Sequence, residues 1–438
     1  MSSPASTRAP LPEGTIPVAA ALLIAGVATY AFFKVGTWAV GGPDEFKTIS
    51  SLWFATFALA PGFFLPLEQE LGRALAHRRA IGDGGQPVVA KVVRLSAVLV
   101  AIVVITILAF SPLITSHYFD GDWVMLAALV TAFAAYAPAH LARGICSGSG
   151  RFREYAIVMG SDGVVRIVLC VALAVVGVTA AGPYGFAVAL APMIGIGYVY
   201  SRRALVTDPG PEATWGEVTP NLGWLLLGSV FAAALLNAGP IATTLLAGES
   251  DKAAVTQFAY GVLLARIPLF MFQAVQAALL PRLSRLAATG ELLEFRAGLR
   301  RLMVLVLAVG IVGTIGAFVI GPFVIEIVYN ADLTGRTLAM LALGSACYMV
   351  ALALAQAVIA LKGHSLVSLG WATGVVAFLL ATWLSSDDLF RRVEIGLLVS
   401  SVAAMTAFAL ALRHKLAIGA VPDTGSMLDA ITDMPLET

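Results

Sequence analysis

Four ionisable side chains lie within long apolar stretches of this chain: Lys34, Asp162, Arg166 and Arg266. A charge in the centre of a membrane span costs about 2.5–3.5 kcal/mol on insertion scales, and such residues usually face a bundle interior or a water-filled cavity. Arg266 is near the middle of its stretch, two residues before Pro268. We interpret Arg266 as a contact for an anionic ligand, with a structural ion-pair partner as the alternative.

Asp162 and Arg166 are four residues apart, so they share a helix face and can pair. At 1.5 Å per residue, Arg166 lies roughly 16 Å into its span. In one interpretation Arg166 contacts a phosphate and Asp162 is a protonatable group that couples to an ion gradient. In the other, the pair only fastens its helix to its neighbours. Lys34, near the end of the first span, is either a weaker ligand contact or a lysine that snorkels to the headgroups.

Two prolines interrupt apolar stretches at equivalent positions, Pro61 and Pro268. Proline frees a backbone carbonyl and bends a helix, so both are predicted hinges. Asn237 can hydrogen-bond between helices or line a cavity. Glu68 is expected at a wet helix end. The aromatic residues of the second stretch are expected mostly to face lipid: Trp53, Phe54, Phe57, Phe63 and Phe64.

The composition indicates which elements carry these side chains. Hydrophobic residues make up 59% of the chain and charged residues 12%, with a mean hydropathy of +0.90, far outside the range of soluble domains. Twelve apolar stretches are long enough to span a bilayer as helices: about 16–36, 47–67, 90–111, 123–143, 155–179, 181–200, 220–246, 253–280, 300–328, 334–361, 365–384 and 392–412. The predicted fold class is an all-α polytopic membrane protein.

The second six stretches partly repeat the first six. Asp44, Pro61, Phe63 and Gln69 match Asp251, Pro268, Phe270 and Gln276 at a spacing of 207, Pro112 matches Pro322 at 210, and Gly150 matches Gly363 at 213. Because six is an even number, both halves enter the membrane in the same direction. The sequence therefore predicts two like-oriented six-helix lobes around a central cavity, an architecture typical of carriers.

The distribution of Lys and Arg residues indicates how the chain is oriented in the membrane. With the N-terminus in the cytoplasm, 19 Lys and Arg residues fall on the inner side and 5 on the outer side, as the positive-inside rule requires when both termini are cytoplasmic. The predicted organisation is listed in chain order: a disordered leader (1–15), an N-lobe (16–204), a cytoplasmic linker (205–219), a C-lobe (220–415) and a cytoplasmic tail (416–438). Residues 281–301 predict an amphipathic interfacial helix or a basic connector.

Several classes of protein are disfavoured. The outer loops are too short for the catalytic segments of a membrane glycosyltransferase or polymerase, and no P-loop is present. The five histidines and three cysteines have no metal-ligand spacing. We predict that the chain is not an enzyme and has no cofactor, metal site or nucleic-acid partner. Energy for transport would come from a gradient of H⁺, Na⁺ or substrate, or from a partner.

Four segments carry a family resemblance. They are GGPDEFKTISSLWFATFALAPGFFLPLEQELGRALAHRRA, CSGSGRFREYAIVMGSDGVVRIVL, YGVLLARIPLFMFQAVQAALLPRLSRLA and AVIALKGHSLVSL, spread across residues 40–370. The first resembles the start of Wzx-type polysaccharide exporters, with a Gly-Pro-acidic-aromatic turn before helix two. The others resemble the helix four to five junction, helix eight with its Pro-Arg-Leu-Ser turn, and the matching junction of the second half. The chain is thereby similar to the MOP superfamily.

The resemblance implies two six-helix lobes that form a V and work by alternating access. In its flippase branches a cationic cavity accepts the pyrophosphate and sugar of a polyprenyl-linked glycan while the lipid tail stays in the membrane. It implies Arg266 and Lys34 as substrate contacts, to which the intramembrane charge of Arg166 adds a weaker candidate. It also implies a bacterial plasma membrane location, with membrane lipids and envelope glycosyltransferases or a polymerase as candidate partners. Two alternatives stay open: a cation-coupled multidrug antiporter of the MATE type, and a non-transporting scaffold for envelope synthesis.

Overall fold

The computed structural model describes residues 15–218, 222–248, 251–269, 272, 286–287 and 289–418, and regular secondary structure in these ranges is entirely helical. The helices are α1 Thr15–Val40, α2 Pro43–Ala80, α3 Gln86–Ala109, α4 Ser111–Tyr118, α5 Trp123–Gly148, α6 Phe152–Val175, α7 Ala181–Ser201, α8 Trp215–Val218, α9 Leu222–Leu246, α10 Lys252–Ala265, α11 Leu292–Val319, α12 Gly321–Tyr329, α13 Gly335–Ala360, α14 His364–Leu384 and α15 Leu389–Ile418. The predicted all-α class is confirmed.

Within the described ranges, eleven helical stretches are long and apolar enough to cross a membrane. The chain is therefore a multi-pass membrane protein. The predicted eighth span, 253–280, begins with α10, but most of its second half lies outside the described residues. The same is true of the predicted leader, of most of the tail and of the first part of the predicted amphipathic segment 281–301. From Leu292 onward that segment is the beginning of α11.

The internal repeat is visible in the helices. α3 ends before Pro112, with α4 following at once, and α11 ends before Pro322, with α12 following in the same way. Proline is well tolerated in the first turn of a helix, so each proline starts the second helix of its pair. In the first half α1 packs on α6, α2 on α5, and α7 on α5 and α6. In the second half α9 packs on α14, α10 on α13, and α15 on α13 and α14. The two halves thus share one packing pattern.

Helix α2 is the central element, with 38 residues and a length of about 57 Å. It contacts α5, α7, α9 and α10. Glycines let α2 and α5 approach closely, since a Cβ added to Gly148 would lie 2.6 Å from the Gly72 carbonyl oxygen. Because α2 is surrounded, its aromatic side chains are buried, with Trp53, Phe54 and Phe64 at most 6% exposed. The prediction that most of them face lipid was wrong.

The seam between α2 and α9 joins the two halves. Its hydrogen bonds link the Ser51 and Thr244 hydroxyls at 3.1 Å, the Asn237 amide to the Phe57 carbonyl at 3.4 Å and the Ser229 hydroxyl to the Pro61 carbonyl at 3.3 Å. The residue numbers of the partners on α9 decrease as those on α2 increase, so the two helices run antiparallel. A second seam joins α1 to α10, where Tyr30 donates to the Leu263 carbonyl at 2.7 Å.

Residues 204–218, which we call the strap, include most of the predicted linker and lie against α2 and the α2–α3 turn. The Arg78 guanidinium binds both Glu217 carboxylate oxygens at 2.6 and 3.0 Å. It also donates to the Pro211 carbonyl at 2.7 Å and to the Gly84 carbonyl at 2.9 Å. Arg151 donates to the Ala204 carbonyl at 2.5 Å. The strap is therefore attached to the first half by charge-assisted hydrogen bonds, which are stronger than neutral ones.

Replacing Arg78 by alanine is expected to release the strap, because its guanidinium donates three hydrogen bonds to the strap, two to Glu217 and one to Pro211. A cysteine at Ala213, which is 2% exposed, should react with a water-soluble maleimide at least about tenfold faster in Arg78→Ala, since charge-assisted hydrogen bonds are worth about 1.5–3 kcal/mol each. Arg79→Ala is the matched control, because Arg79 is exposed. Equal labelling rates in the two variants would contradict the assignment.

Candidate functional site

Arg266 lies where helix α10 ends. Ala265 is the last residue of α10, and Arg266 follows as its cap with φ −89° and ψ −6°. Pro268 has no backbone N–H, so it cannot continue the ladder to the Leu264 carbonyl. The break at Arg266 is consistent with the predicted hinge at Pro268, whereas α2 stays helical through Pro61. Both hinge roles remain predictions.

The Arg266 guanidinium is 8% exposed and has only neutral partners in the described part of the chain. Its Nη2 donates to the Leu236 carbonyl and to Asn237 Oδ1, the latter at 3.1 Å. The guanidinium carbon lies 5.4 Å from the centre of the Phe54 ring. Among the described residues no carboxylate lies within 4.0 Å of it, and Nε and Nη1 make no hydrogen bond. Nη2 belongs to both bidentate edges of the guanidinium and is occupied, so the unused N–H groups of Nε and Nη1 point to different sides. Each can donate one charge-assisted hydrogen bond to an anion.

Arg266 also lines a cavity between α9, α10, α13 and α15. The wall is mostly apolar, with polar groups from Ser345, Tyr348 and Ser401. Every lining residue belongs to the second half, so this cavity lies inside that half, although a central cavity between the lobes was predicted.

Asp162 and Arg166 form the predicted pair. Arg166 Nη2 lies 2.5 Å from Asp162 Oδ2, and the Tyr136 hydroxyl donates to Asp162 Oδ1 at 3.1 Å. Arg166 is 3% exposed and its guanidinium lies 4.8 Å from the Phe57 ring centre and 5.1 Å from the Trp53 ring centre. The charge of Arg166 is therefore already balanced, unlike that of Arg266.

The two arginines meet the same aromatic segment of α2. Trp53 and Phe57 of α2 contact Arg166, which belongs to the first half. Phe54 of α2 contacts Arg266, which belongs to the second half. The Trp53 and Phe57 rings are perpendicular with centres 4.0 Å apart. Cations are attracted to aromatic faces, more strongly where water is excluded. We did not predict this arrangement, although three aromatic residues just before Pro61 were a signal for it.

Lys34 is not brought to Arg266. Its side chain is exposed, and it forms no hydrogen bond or ion pair within the described ranges. Its neighbours on α1 do reach α10: Tyr30 donates to the Leu263 carbonyl, and the Thr37 and Tyr260 hydroxyls are 2.6 Å apart. Lys34 thus lies beside the α1–α10 seam, and its role as a substrate contact remains a prediction.

Glu68 was expected at a wet helix end, and that expectation was wrong. α2 continues to Ala80, and the Glu68 side chain is 5% exposed. Glu68 Oε2 lies 2.8 Å from His140 Nδ1 and 2.7 Å from Arg143 Nη2, and Oε1 accepts from the Tyr155 hydroxyl at 3.1 Å. This cluster ties α2 to α5 and α6. The spacing of His140 and Arg143, three apart on one helix face, was the available signal.

Comparison with solved structures identifies the fold as that of MATE transporters. An inward-facing multidrug resistance MATE family transporter of the MOP superfamily aligns with a TM-score of 0.70 at 13% identity, over 91% of this chain and 98% of that chain. A mutant of a Vibrio cholerae MATE transporter aligns with a TM-score of 0.66 at 15% identity, over 95% and 98%. At these identities the likeness concerns the fold.

Sequence comparison finds more similar chains but no assigned activity. Uncharacterized proteins of Mycobacterium tuberculosis and Mycobacterium bovis are each 27% identical over 356 residues, which is 76% of this chain and 77% of theirs. No protein-family model matches the chain. The comparisons therefore show a MATE-like fold.

Proposed function

We propose that this protein is a membrane transporter that moves a polyprenyl-phosphate- or pyrophosphate-linked oligosaccharide from the inner to the outer leaflet by alternating access. The observation that carries the proposal is the buried Arg266 guanidinium, which has no carboxylate within 4.0 Å in the described part of the chain and two unused donors. A buried charge without a counter-charge is costly, so an anionic ligand is the partner that this position favours.

The balance of the other buried charges supports an anion over a cation. Asp162 and Glu68 each accept a hydrogen bond from an arginine. Glu394 Oε2 lies 3.0 Å from Arg336 without a hydrogen bond between the two. Their negative charges are thus already compensated. A cationic drug would have to displace one of these arginines, whereas an anion can bind Arg266 without breaking an ion pair.

In this proposal the head group binds Arg266, with Lys34 and Arg166 as weaker contacts, and the lipid tail stays in the bilayer. The break at Arg266 and Pro268, together with Pro61, would accommodate the change between inward-open and outward-open states. Asp162 is the candidate for coupling to H⁺ or Na⁺. The positive-inside rule places both termini in the cytoplasm of a bacterial cell, and envelope glycosyltransferases or a polymerase are candidate partners.

A cation-coupled multidrug antiporter is the second candidate, favoured by the multidrug transporter among the structures of the same fold. A non-transporting scaffold for envelope synthesis is the third, because a fold does not guarantee activity. The antiporter needs an acidic group that can release its partner, and Asp162 is the half-buried carboxylate best placed for that role.

The test is translocation in proteoliposomes that contain a fluorescent polyprenyl-pyrophosphate-linked oligosaccharide. Accessibility of the glycan to an added glycosidase reports on its movement, and protein-free liposomes are the control. Protein-dependent movement of the glycan supports the proposal. Export of a cationic dye driven by a proton or sodium gradient, without glycan movement, would replace it with the antiporter. Inactivity in both assays would favour the scaffold.

A further inference from the structure

Two prolines in opposite halves create the hydrogen-bond acceptors around Arg266. A proline has no N–H, so the carbonyl four residues earlier loses its helical donor. Pro240 in α9 thereby frees the Leu236 carbonyl, and Pro61 in α2 frees the Phe57 carbonyl. Arg266 Nη2 donates to the Leu236 carbonyl, and the Asn237 amide donates to the Phe57 carbonyl at 3.4 Å. Both freed carbonyls are therefore used.

Asn237 connects these two acceptor positions. Its side chain is 1% exposed. Its Oδ1 accepts from Arg266 at 3.1 Å, while its Nδ2 donates to the Ala233 carbonyl at 2.9 Å as well as to Phe57. The amide thus has its oxygen turned toward the guanidinium because its nitrogen is held by two carbonyls. If the amide were flipped, its N–H groups would face the N–H groups of Arg266, and its oxygen would face the two carbonyls.

We infer that Asn237 is the positioning residue of the anion site: it holds Nη2 of Arg266 so that Nε and Nη1 remain available, and it ties this orientation to α2. This role rests on the proposed function, because the group bound at the site is the phosphate or pyrophosphate of the proposed substrate. In this role the hydrogen bond from Asn237 to the Phe57 carbonyl of α2 sets the affinity of the site for the head group.

The test uses the full-length protein in detergent with inorganic pyrophosphate as the probe, measured by calorimetry, and glycan translocation as a separate readout. Asn237→Asp puts a carboxylate beside Arg266 in place of the amide oxygen. Pyrophosphate should then bind at least about tenfold more weakly, because the guanidinium already has a charged partner. Because aspartate also loses the donor to the Ala233 and Phe57 carbonyls, the melting temperature is measured alongside. Weaker binding at an unchanged melting temperature is the outcome that a purely structural role for Asn237 does not predict. Asn237→Ser is the second variant, and it should also weaken binding.

Two further variants separate positioning from general packing. Ser229→Ala removes another α2–α9 hydrogen bond, the one to the Pro61 carbonyl, and should leave pyrophosphate affinity unchanged. Pro61→Ala restores an N–H that can donate to the Phe57 carbonyl in place of Asn237, so it should weaken binding. A hinge role for Pro61 alone would change turnover without changing affinity.

The outcomes for the inference and for the proposed function are distinct. Wild-type binding of pyrophosphate that survives in Asn237→Asp and Asn237→Ser overturns the positioning role, even if the glycan is translocated. Binding that is lost in these variants, with no glycan movement by the wild type, supports the positioning role and overturns the proposed function. Failure of the wild type to bind pyrophosphate overturns the inference, and failure also to move the glycan overturns both.

Discussion

Replacing Arg266 by glutamine is expected to reduce glycan translocation by about 10- to 100-fold while the protein remains folded. A hydrogen bond to a charged group contributes about 1.5–3 kcal/mol, and each 1.4 kcal/mol is a factor of ten in affinity. The glutamine amide has two N–H donors for the two acceptors of Arg266, the Leu236 carbonyl and Asn237 Oδ1. Because Arg266 has no carboxylate partner in the described part of the chain, removing its charge should leave the melting temperature unchanged or raise it.

Two variants complete this experiment. Arg266→Lys keeps the charge but loses the fixed, planar arrangement of donors, so it should retain only part of the activity. Lys34→Gln removes an exposed cation and should have a smaller effect than Arg266→Gln. A large loss of stability in Arg266→Gln with translocation unaffected would instead support the structural role that the sequence left open for Arg266.

The second large effect is expected on stability, from removal of the Asp162 carboxylate. Asp162→Ala leaves the Arg166 guanidinium, which is 3% exposed, without its counter-charge. Breaking a buried pair by removing one partner costs about 3–5 kcal/mol. The free energy of unfolding, measured by chemical unfolding in detergent, should fall by that amount. Tyr136 would also lose the acceptor of its hydroxyl proton.

The double variant Asp162→Ala, Arg166→Met is the matched control. Replacing both members of a buried pair by apolar residues is often neutral, so most of the lost stability should return. The same variant separates the two interpretations of the pair. If Asp162 couples transport to an ion, the double variant should lose its dependence on a proton or sodium gradient. If the pair only fastens α6 to its neighbours, that dependence should remain.

The residues around Glu68 explain why its carboxylate was expected at a wet helix end. In the sequence, Glu68 stands next to polar residues and a basic stretch, a pattern typical of a helix that has left the membrane. In the structure α2 continues and packs against α5 and α6, whose His140, Arg143 and Tyr155 surround the carboxylate. Those partners are 72 to 87 residues away along the chain, so no local pattern could reveal them.

The sequence by itself determined the class of protein, because bilayer thickness makes long apolar stretches readable one helix at a time. It also determined the repeat, which the breaks before Pro112 and Pro322 confirm, and the Asp162–Arg166 pair, whose members share a helix face. Only the tertiary structure decided which arginine keeps an unbalanced charge. That depends on which helices surround each guanidinium. The carbonyl freed by Pro240 meets Arg266 only when α9 and α10 pack within the second half. The carbonyl freed by Pro61 meets Asn237 only when the two halves pack together.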